Sequence, residues 1–486
     1  MLGVIIVLMA GFLFFKDSQF IKQSRVLSRF SEISFQETTT QSRLVIWKMS
    51  WEGFKEKPVL GWGPENFNLV FNKYYEPILW KQEPWFDRAH NVFLDRLTTT
   101  GFLGLLAYLG LFAFALYYLW SPGANLARGG FPKNNFSRSD SIVFTSMFAA
   151  YFFHNLFVFD NLISSLLFIA FLAYISTKSQ PPPEEKKTIS ISANLGLKSA
   201  SALIVSIITV FIVYYVNVPG ILAGHDLIKA IGFSGNGDLQ SSFSEFQKAL
   251  SRNSFGTGEA REQLSSFAQQ ILPLSGLDNN FKQEVYNSAV SEMKKQISQS
   301  PNDIRYMIFL GLIYNKAGQY DEAIDILQRA IKLSPKKQQL YFELGSSYLN
   351  KREYDKSFEI LKKAFEFDQE FLEARKIYAV AAIFAERDEL AEELMKDYGG
   401  TIIPDERFIT AYNERKMFDK VEAIWEKFVE ENPENAQYRV SLAAGYLQTG
   451  KRQKAIEQLQ KAIELEPRFK QQGEYYINEI RAGRNP

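Results

Sequence analysis

Apolar and charged residues follow different patterns before and after residue 220. In the first part, long runs without charge alternate with polar segments, and residues 102–120 contain no charge at all. A run of that length is about what an α-helix needs to cross roughly 30 Å of hydrocarbon. Further apolar runs occupy 141–159, 162–175 and 201–219, and a shorter one occupies 1–15. This pattern predicts a membrane domain over 1–176 and one more transmembrane helix.

Positively charged residues predict the orientation of these helices. Lys and Arg are clustered in the polar segments 121–140 and 177–200, and such residues favour the cytoplasmic side of a span. Segment 177–200 begins with a run rich in proline and charge, which is typical of a linker. Segment 16–101 and the chain after residue 220 are therefore predicted on the extracytoplasmic side of the cytoplasmic membrane.

From residue 301 onward, the apolar positions repeat with a period of 34 residues. Small, aromatic and proline residues recur at the same places in successive units: Gly311, Tyr314, Ala330 and Pro335, then Gly345, Tyr348 and Ala364, and later Ala443, Tyr446, Ala462 and Pro467. The pattern resembles the tetratricopeptide repeat family, in which small residues let two helices pack closely and a proline ends the second helix.

The resemblance implies an α-solenoid over 301–486 with a C-terminal cap helix, preceded by a degenerate repeat within 220–300. Its concave face is predicted to bind a protein partner or another copy of the chain. The predicted fold class is therefore all-α, with a multi-span helical membrane domain followed by a soluble solenoid.

Composition excludes several classes of function. Lys plus Arg is 55 and Asp plus Glu is 54, so the chain lacks the basic excess with which proteins neutralise nucleic-acid phosphates. We expect no nucleic-acid partner. The chain also has no Cys, which excludes thiol catalysis, disulfides and thiolate metal sites.

The polar segment 16–101 contains residue types that are suited to catalysis and to substrate binding. Four residues at helical spacing predict one face of a helix in the membrane interface: Arg43, Trp47, Trp51 and Phe54. A turn follows over residues 57–64, with the sequence Lys-Pro-Val-Leu-Gly-Trp-Gly-Pro. Residues 88–94, Arg-Ala-His-Asn-Val-Phe-Leu, then lead through Thr-Gly-Phe-Leu-Gly into the charge-free run.

These three blocks, in this order, resemble the O-antigen ligase and polymerase family over roughly residues 30–176. The resemblance implies a metal-independent, inverting glycosyltransferase that takes a glycan from a polyprenyl diphosphate on the outer side of the cytoplasmic membrane. The acceptor would be a hydroxyl group of a lipid, a protein or a growing polysaccharide. Members of this family usually have more spans than this chain, so we expect that an N-terminal half is missing; the alternatives are that a partner replaces it or that the chain is inactive.

His90 is the candidate general base, because an imidazole with a pKa near neutrality can accept the proton of an attacking hydroxyl. Arg43 matches the arginine of the family, and a guanidinium stabilises a diphosphate leaving group. Arg88, Asn91 and Trp47 are further candidates for substrate binding. Segment 16–101 has no carboxylate cluster with metal-ligand spacing, so we expect neither a metal nor another cofactor.

Each candidate also has a simpler interpretation. His90 and Arg43 could lie at the depth of the phospholipid headgroups, and Arg88 could be an ordinary charge beside a span. The pair His154-Asn155 is interpreted as part of a hairpin turn. A second hypothesis for the whole chain is a non-enzymatic, membrane-anchored tetratricopeptide scaffold for the assembly of an envelope complex.

Overall fold

The computed structural model describes residues 14–15, 18–24, 38–83, 85–120, 136–178 and 195–485, with the backbone alone described at 195–199 and 201. Every regular element in these residues is a helix, which confirms the predicted all-α class. The α-helices are α1 (Gln19–Gln23), α2 (Thr38–Glu56), α3 (Phe67–Lys73), α4 (Val92–Trp120), α5 (Arg138–His154), α6 (Leu162–Lys178), α7 (Leu195–Gly235), α8 (Leu239–Ser251), α9 (Thr257–Ile271), α10 (Asn279–Gln299), α11 (Ile304–Lys316), α12 (Tyr320–Leu333), α13 (Gln338–Asn350), α14 (Tyr354–Phe367), α15 (Leu372–Phe384), α16 (Asp388–Met395), α17 (Glu406–Glu414), α18 (Phe418–Glu431), α19 (Ala436–Gln448), α20 (Arg452–Leu465) and α21 (Lys470–Arg481). Short 3-10 helices cover Pro77–Lys81, Lys396–Tyr398 and Pro467–Phe469.

The chain divides into two compact units. The first unit consists of Met1–Ala260, Ser300–Asp303 and Leu333–Pro335. The second unit consists of Arg261–Gln299, Ile304–Lys332 and Lys336–Pro486. The residues predicted to carry chemistry all belong to the first unit.

Two small cores stabilise the first unit before α7. In one, aromatic residues join α4, α5 and α6, and its buried members include Tyr108, Phe112, Phe148 and Phe168. In the other, α2, α3 and the segment that leads into α4 share the buried residues Ile46, Met49, Phe67, Phe71, Tyr75, Leu79, Phe86 and Ala89. The second core fixes the predicted site residues relative to α4.

Two described helices, Val92–Trp120 and Ala202–Gly235, are long and apolar enough to cross a membrane by length and composition. Helix α6 is apolar but shorter. The predicted apolar run 141–159 folds as α5, which ends at His154. The predicted segment 1–15 lies outside the described residues apart from Phe14 and Phe15, so the predicted number of spans stays a prediction.

Helix α7 continues beyond the predicted span of 201–219 and contains Pro219 within its length. A proline inside a helix removes one backbone hydrogen bond. Helix α8 packs against the part of α7 that follows, and it buries Ala223, Leu227 and Ala230 at helical spacing. This packing explains why the helix continues beyond the predicted span of 201–219.

Paired antiparallel helices build the second unit, and glycine permits their close approach. A Cβ atom on Gly345 would lie 2.5 Å from Cδ2 of Leu361, and one on Gly311 would lie 3.0 Å from Cγ of Leu327. Both pairs join the first helix of a repeat to its second helix. The small residues at this position of the 34-residue period therefore act as the sequence predicted.

Candidate functional site

Helix α2 directs one face into the core. Its buried residues have helical spacing and are Ser42, Ile46, Met49, Ser50 and Gly53. Gly53 is required there, because an added Cβ atom would lie 2.4 Å from Cγ1 of Val70. Arg43 and Trp47 are partly buried beside this face, while Trp51 is 49% exposed.

The glycine turn and α4 are joined by backbone hydrogen bonds. Helix α4 is kinked at Gly101, which has a φ of 67° and a ψ of −170°. Next to the kink, the carbonyl oxygen of Thr98 accepts from the amide of Trp62 at 3.0 Å, and that of Thr99 accepts from the amide of Gly63 at 2.8 Å. Two motifs that are far apart in the sequence therefore form one structural unit.

The glycines of these two motifs contact each other directly. The amide of Phe102 donates to the carbonyl oxygen of Pro58 at 2.8 Å. A Cβ atom on Gly101 would lie 2.3 Å from the carbonyl oxygen of Val59, and one on Gly61 would lie 2.6 Å from the nitrogen of Gly101. Both glycines also have positive φ angles. The motif spacing thus reflects a backbone contact that larger residues would prevent.

His90 lies in the loop immediately before α4 and has a φ of 51°, in the left-handed region that few non-glycine residues adopt. Buried residues hold the chain on both sides of it. The carbonyl oxygen of Ala89 accepts from Nε1 of Trp47 at 3.1 Å, and its amide donates to Oδ1 of Asp95 at 3.4 Å. Asn91 on the other side is also buried. The position of the imidazole is therefore determined by its neighbours.

Two phenylalanine rings flank the partly buried imidazole of His90. The ring centroids of Phe86 and Phe159 lie 5.4 Å and 5.3 Å from that of His90, both in edge-to-face geometry. Burial lowers the pKa of His90, because desolvation disfavours the charged form, and the positive charge of Arg43 lowers this pKa further. The imidazole is consequently neutral at neutral pH and able to accept a proton.

The guanidinium of Arg43 belongs to the same site, since its charge acts on His90. Among the described residues, no carboxylate forms an ion pair with Arg43. Two elements of the first unit, α2 and the loop before α4, thereby bring a cation and a neutral base together.

Arg88 is already paired with two carboxylates. Its Nη2 atom lies 2.6 Å from Oε1 of Glu65, and its Nη1 atom lies 3.3 Å from Oδ2 of Asp95. The side chain of Asp95 is 11% exposed and that of Glu65 is 74% exposed. Asp95 therefore fixes Arg88 in the structure, while Glu65 is a partner that a ligand could replace.

Asn91 and Asn155 connect the start of α4 to the end of α5. The side-chain oxygen of Asn91 accepts from the amide of Leu94 at 3.0 Å and thereby caps α4. Its amide group donates to the carbonyl oxygen of Leu156 at 3.0 Å. The amide of Val92 donates to the carbonyl oxygen of Asn155 at 2.9 Å. Because the polar atoms of Asn91 are used within the protein, its predicted substrate contact stays a prediction.

Sequence reasoning missed three residues at this site. Phe86 and Phe159 flank His90, and Glu65 pairs with Arg88. The aromatic run between α5 and α6 was the available signal, since Phe157 also lies beside Trp47 with ring centroids 6.5 Å apart. Among the described residues, no group of three or more His, Asp or Glu side chains is arranged to hold a metal ion.

The second unit contains a groove of about 400 Å³ that is lined by residues of α13, α15 and α17. We call it the repeat groove. Its apolar wall includes Phe342, Ile377 and Val380. At one edge, Nη2 of Arg352 lies 3.3 Å from Oε1 of Glu414. The groove therefore offers an apolar surface bordered by a charged pair.

Comparisons with known proteins first define the class of the second unit. Residues 311–351 match a family model described as TPR repeat, and residues 338–371 and 436–469 match one described as Tetratricopeptide repeat. The C-terminal part of the chain thus contains tetratricopeptide repeats, which confirms the prediction from the 34-residue period.

The first part of the chain matches a second family. Residues 1–109 match the family model described as O-Antigen ligase, so the chain carries an O-antigen ligase domain together with its repeats. This range contains His90, Arg43, Arg88, Asn91 and Trp47. No curated protein sequence matches the chain.

The solved structures that are similar to the chain include two tetratricopeptide repeat proteins. A tetratricopeptide repeat protein from Parabacteroides merdae is 16% identical, with a TM-score of 0.37, and the match covers 50% of this chain and 93% of that one. A thermophilic TPR protein from Thermus thermophilus is 18% identical, with a TM-score of 0.29, and the match covers 46% of this chain and 99% of that one.

Proposed function

We propose that this chain is a glycosyltransferase that moves a glycan from a polyprenyl diphosphate to a hydroxyl acceptor on the outer side of the cytoplasmic membrane. The observation that carries the proposal is the partly buried imidazole of His90, whose pKa is lowered by burial and by the positive charge of Arg43. This pair lies in the part of the chain that matches the O-antigen ligase family.

In this proposal His90 acts as general base. The acceptor oxygen attacks the anomeric carbon of the glycan, and its proton passes to the imidazole and later to solvent. The new glycosidic bond forms as the bond from the anomeric carbon to the diphosphate oxygen breaks, with inversion at that carbon. The lowered pKa of His90 keeps the base unprotonated at neutral pH.

The leaving group requires positive charge more than a proton, because a diphosphate is a stable anion. Arg43 provides this charge, and Arg88 adds a second guanidinium when a phosphate oxygen replaces Glu65. A guanidinium can form two parallel hydrogen bonds with phosphate oxygens. In this scheme Trp47 and Asn91 position the loop through the hydrogen bonds they already form.

The site lies at the start of the candidate span Val92–Trp120. A lipid-linked donor with its polyprenyl chain in the bilayer would place its diphosphate at the membrane surface, at the level of that end of the helix. We also propose the multi-span topology, with residues 177–200 as a cytoplasmic linker and the repeats on the same side as His90. The repeats would bind the acceptor or a partner protein.

The main test is glycan transfer in cells that lack the endogenous activity. The three histidines provide matched variants: His90→Ala should abolish transfer, while His154→Ala and His225→Ala should retain it, with equal amounts of all three proteins in the membrane. Equal transfer by His90→Ala would contradict the proposal and favour the scaffold hypothesis.

The role of the repeats has a separate test. Ser346 lines the repeat groove, so Ser346→Arg should fill it, whereas Ser298→Arg introduces the same side chain at an exposed position of α10. We expect Ser346→Arg to reduce transfer to the natural acceptor and to leave donor binding unchanged. If both variants transfer equally well, the repeat groove is not the binding surface.

A further inference from the structure

Residues 252–256 form a loop outside the proposed catalytic site. This loop lies beside the end of the apolar run 201–219. Helix α8 runs antiparallel to the last part of α7, and residues 252–256 follow it. An added Cβ atom on Gly220 would lie 2.4 Å from Cε1 of Phe255. The ring of Phe255 therefore rests against the backbone of α7 directly beyond that run.

The side chain of Phe255 is 80% exposed, although its neighbours Arg252, Asn253 and Ser254 are polar. Ile221, beside Gly220, is 67% exposed. The removal of a phenylalanine side chain from water is favourable. The large apolar side chains of Phe255 and Ile221, which lie at the same height along α7, are therefore not buried by other residues of the first unit.

Exposed apolar side chains follow α7 from the run 201–219 to the level of this loop. Side chains along the span are about half to two-thirds exposed, for example Val210 at 68% and Tyr215 at 60%. Lipid is the solvent expected for that part of the helix, and the exposed apolar side chains of Ile221 and Phe255 follow one turn after the exposed Asn217, whose amide group donates to the carbonyl oxygen of Val213 within the helix. Lipid around α7 therefore explains both the exposed side chains of the span and those of Ile221 and Phe255.

We propose that residues 252–256 form a membrane-contact loop, in which Phe255 inserts into the lipid surface beside α7. Aromatic side chains are favoured at the boundary between headgroups and acyl chains. The contact holds the hairpin of α7 and α8 against the bilayer.

The charge near the loop indicates which lipids it would contact. Nε of Arg252 lies 2.9 Å from Oδ2 of the buried Asp226, so this cation is neutralised within the protein. Insertion of Phe255 then depends on apolar contact and not on anionic headgroups. Uncharged and anionic bilayers should bind the loop equally.

The absence of cysteine makes a direct test possible, because one introduced Cys is the only labelling site. Full-length Phe255→Cys carries a nitroxide label and is reconstituted in nanodiscs of phosphatidylcholine, alone or with phosphatidylglycerol. Tyr215→Cys in the span is the lipid reference. Asn236→Cys, directly after the end of α7 and about 24 Å from the level of Gly220 at ~1.5 Å per residue, is the water reference. Collision rates with oxygen and with a water-soluble nickel complex report the depth of each label.

We expect the label at 255 to resemble that at 215, with high oxygen and low nickel accessibility in both lipid mixtures. High nickel accessibility like that at 236 would overturn the proposal. Low accessibility to both reagents would also overturn it, since that result indicates cover by protein. Insertion seen only with phosphatidylglycerol would contradict the apolar mechanism. The measurement requires no glycan transfer, so it is independent of the proposed activity.

Discussion

Arg88 and Glu65 form an ion pair with an N–O distance of 2.6 Å, although they lie 23 positions apart in the sequence. The Glu65 side chain is largely exposed, with a φ of 63° in its backbone. Exposed ion pairs contribute little to stability. The pair is therefore better suited to exchange with a ligand than to support of the fold.

If a diphosphate oxygen replaces Glu65, removal of the competing charge should favour the donor. We predict that Glu65→Gln lowers the donor KM about two- to fivefold, since an exposed pair is worth up to about 1 kcal/mol. Glu83→Gln removes an exposed carboxylate after the 3-10 helix Pro77–Lys81 and should leave the KM unchanged. A higher KM for Glu65→Gln would indicate that Glu65 helps to bind the donor.

The pH dependence of transfer should report the interaction of Arg43 with His90. A general base works when unprotonated, so activity should fall with decreasing pH through the pKa of His90, which lies below its usual 6.5. Arg43→Gln removes a positive charge and should raise this pKa, which moves the acidic limb of the kcat/KM profile to higher pH. Lys48→Gln, an exposed cation of the same helix, should leave the limb in place. An unchanged limb in Arg43→Gln would contradict the electrostatic coupling.

The contact between the glycine turn and α4 predicts an unequal response of two glycines in one helix. Gly101→Ala should destabilise the protein by more than about 2 kcal/mol, because it adds a clash to a backbone cost of roughly 1–2 kcal/mol at positive φ. Gly110→Ala has no atom within 4 Å of the added Cβ and should be tolerated. Thermal unfolding in detergent, together with the amount of protein in membranes, measures both. Equal midpoints would show that the turn does not need this contact.

Burial raises the pKa of Glu343 in α13 to about 7, and the charge of Lys316 opposes this shift. A carboxyl group whose pKa is higher in the folded state stabilises that state below its unfolded value of 4.5, and this contribution is lost as pH rises through 7. We predict that Glu343→Gln is more stable than the wild type at pH 8, by on the order of 1 kcal/mol. The two proteins should become equal near pH 4.5.

The thermal midpoint of full-length protein at both pH values tests this prediction. Glu359→Gln serves as the control, because Glu359 is an exposed carboxylate of the next helix. A constant difference between Glu343→Gln and the wild type at all pH values would rule out a role of titration.

Local patterns predicted much of the fold. The 34-residue period predicted the paired helices, because the small residue of one helix must face its partner, as Gly345 faces Leu361. The absence of charge over 102–120 predicted most of α4. The apolar run predicted a span over 201–219, and the extension of α7 to Gly235 was not predicted, because the packing of α8 against it was not visible in the sequence.

The site was predictable only as a set of motifs. His90 and Arg43 were candidates because of their chemistry and the family resemblance. The walls of the site come from distant positions: Phe159 follows His90 by almost seventy residues, and Glu65 precedes Arg88 by 23. No periodicity relates such pairs, because tertiary packing alone brings them together.

The contact between the glycine turn and α4 is formed by main-chain atoms of residues 58–63, and this has a consequence for how the domain can vary. Val59 and Leu60 are 58% and 74% exposed, so their side chains take no part in the contact that fixes the turn. Mutation can change these two residues while the course of the chain stays the same. One backbone arrangement can in this way present different surfaces at this turn while α4 and the turn stay joined.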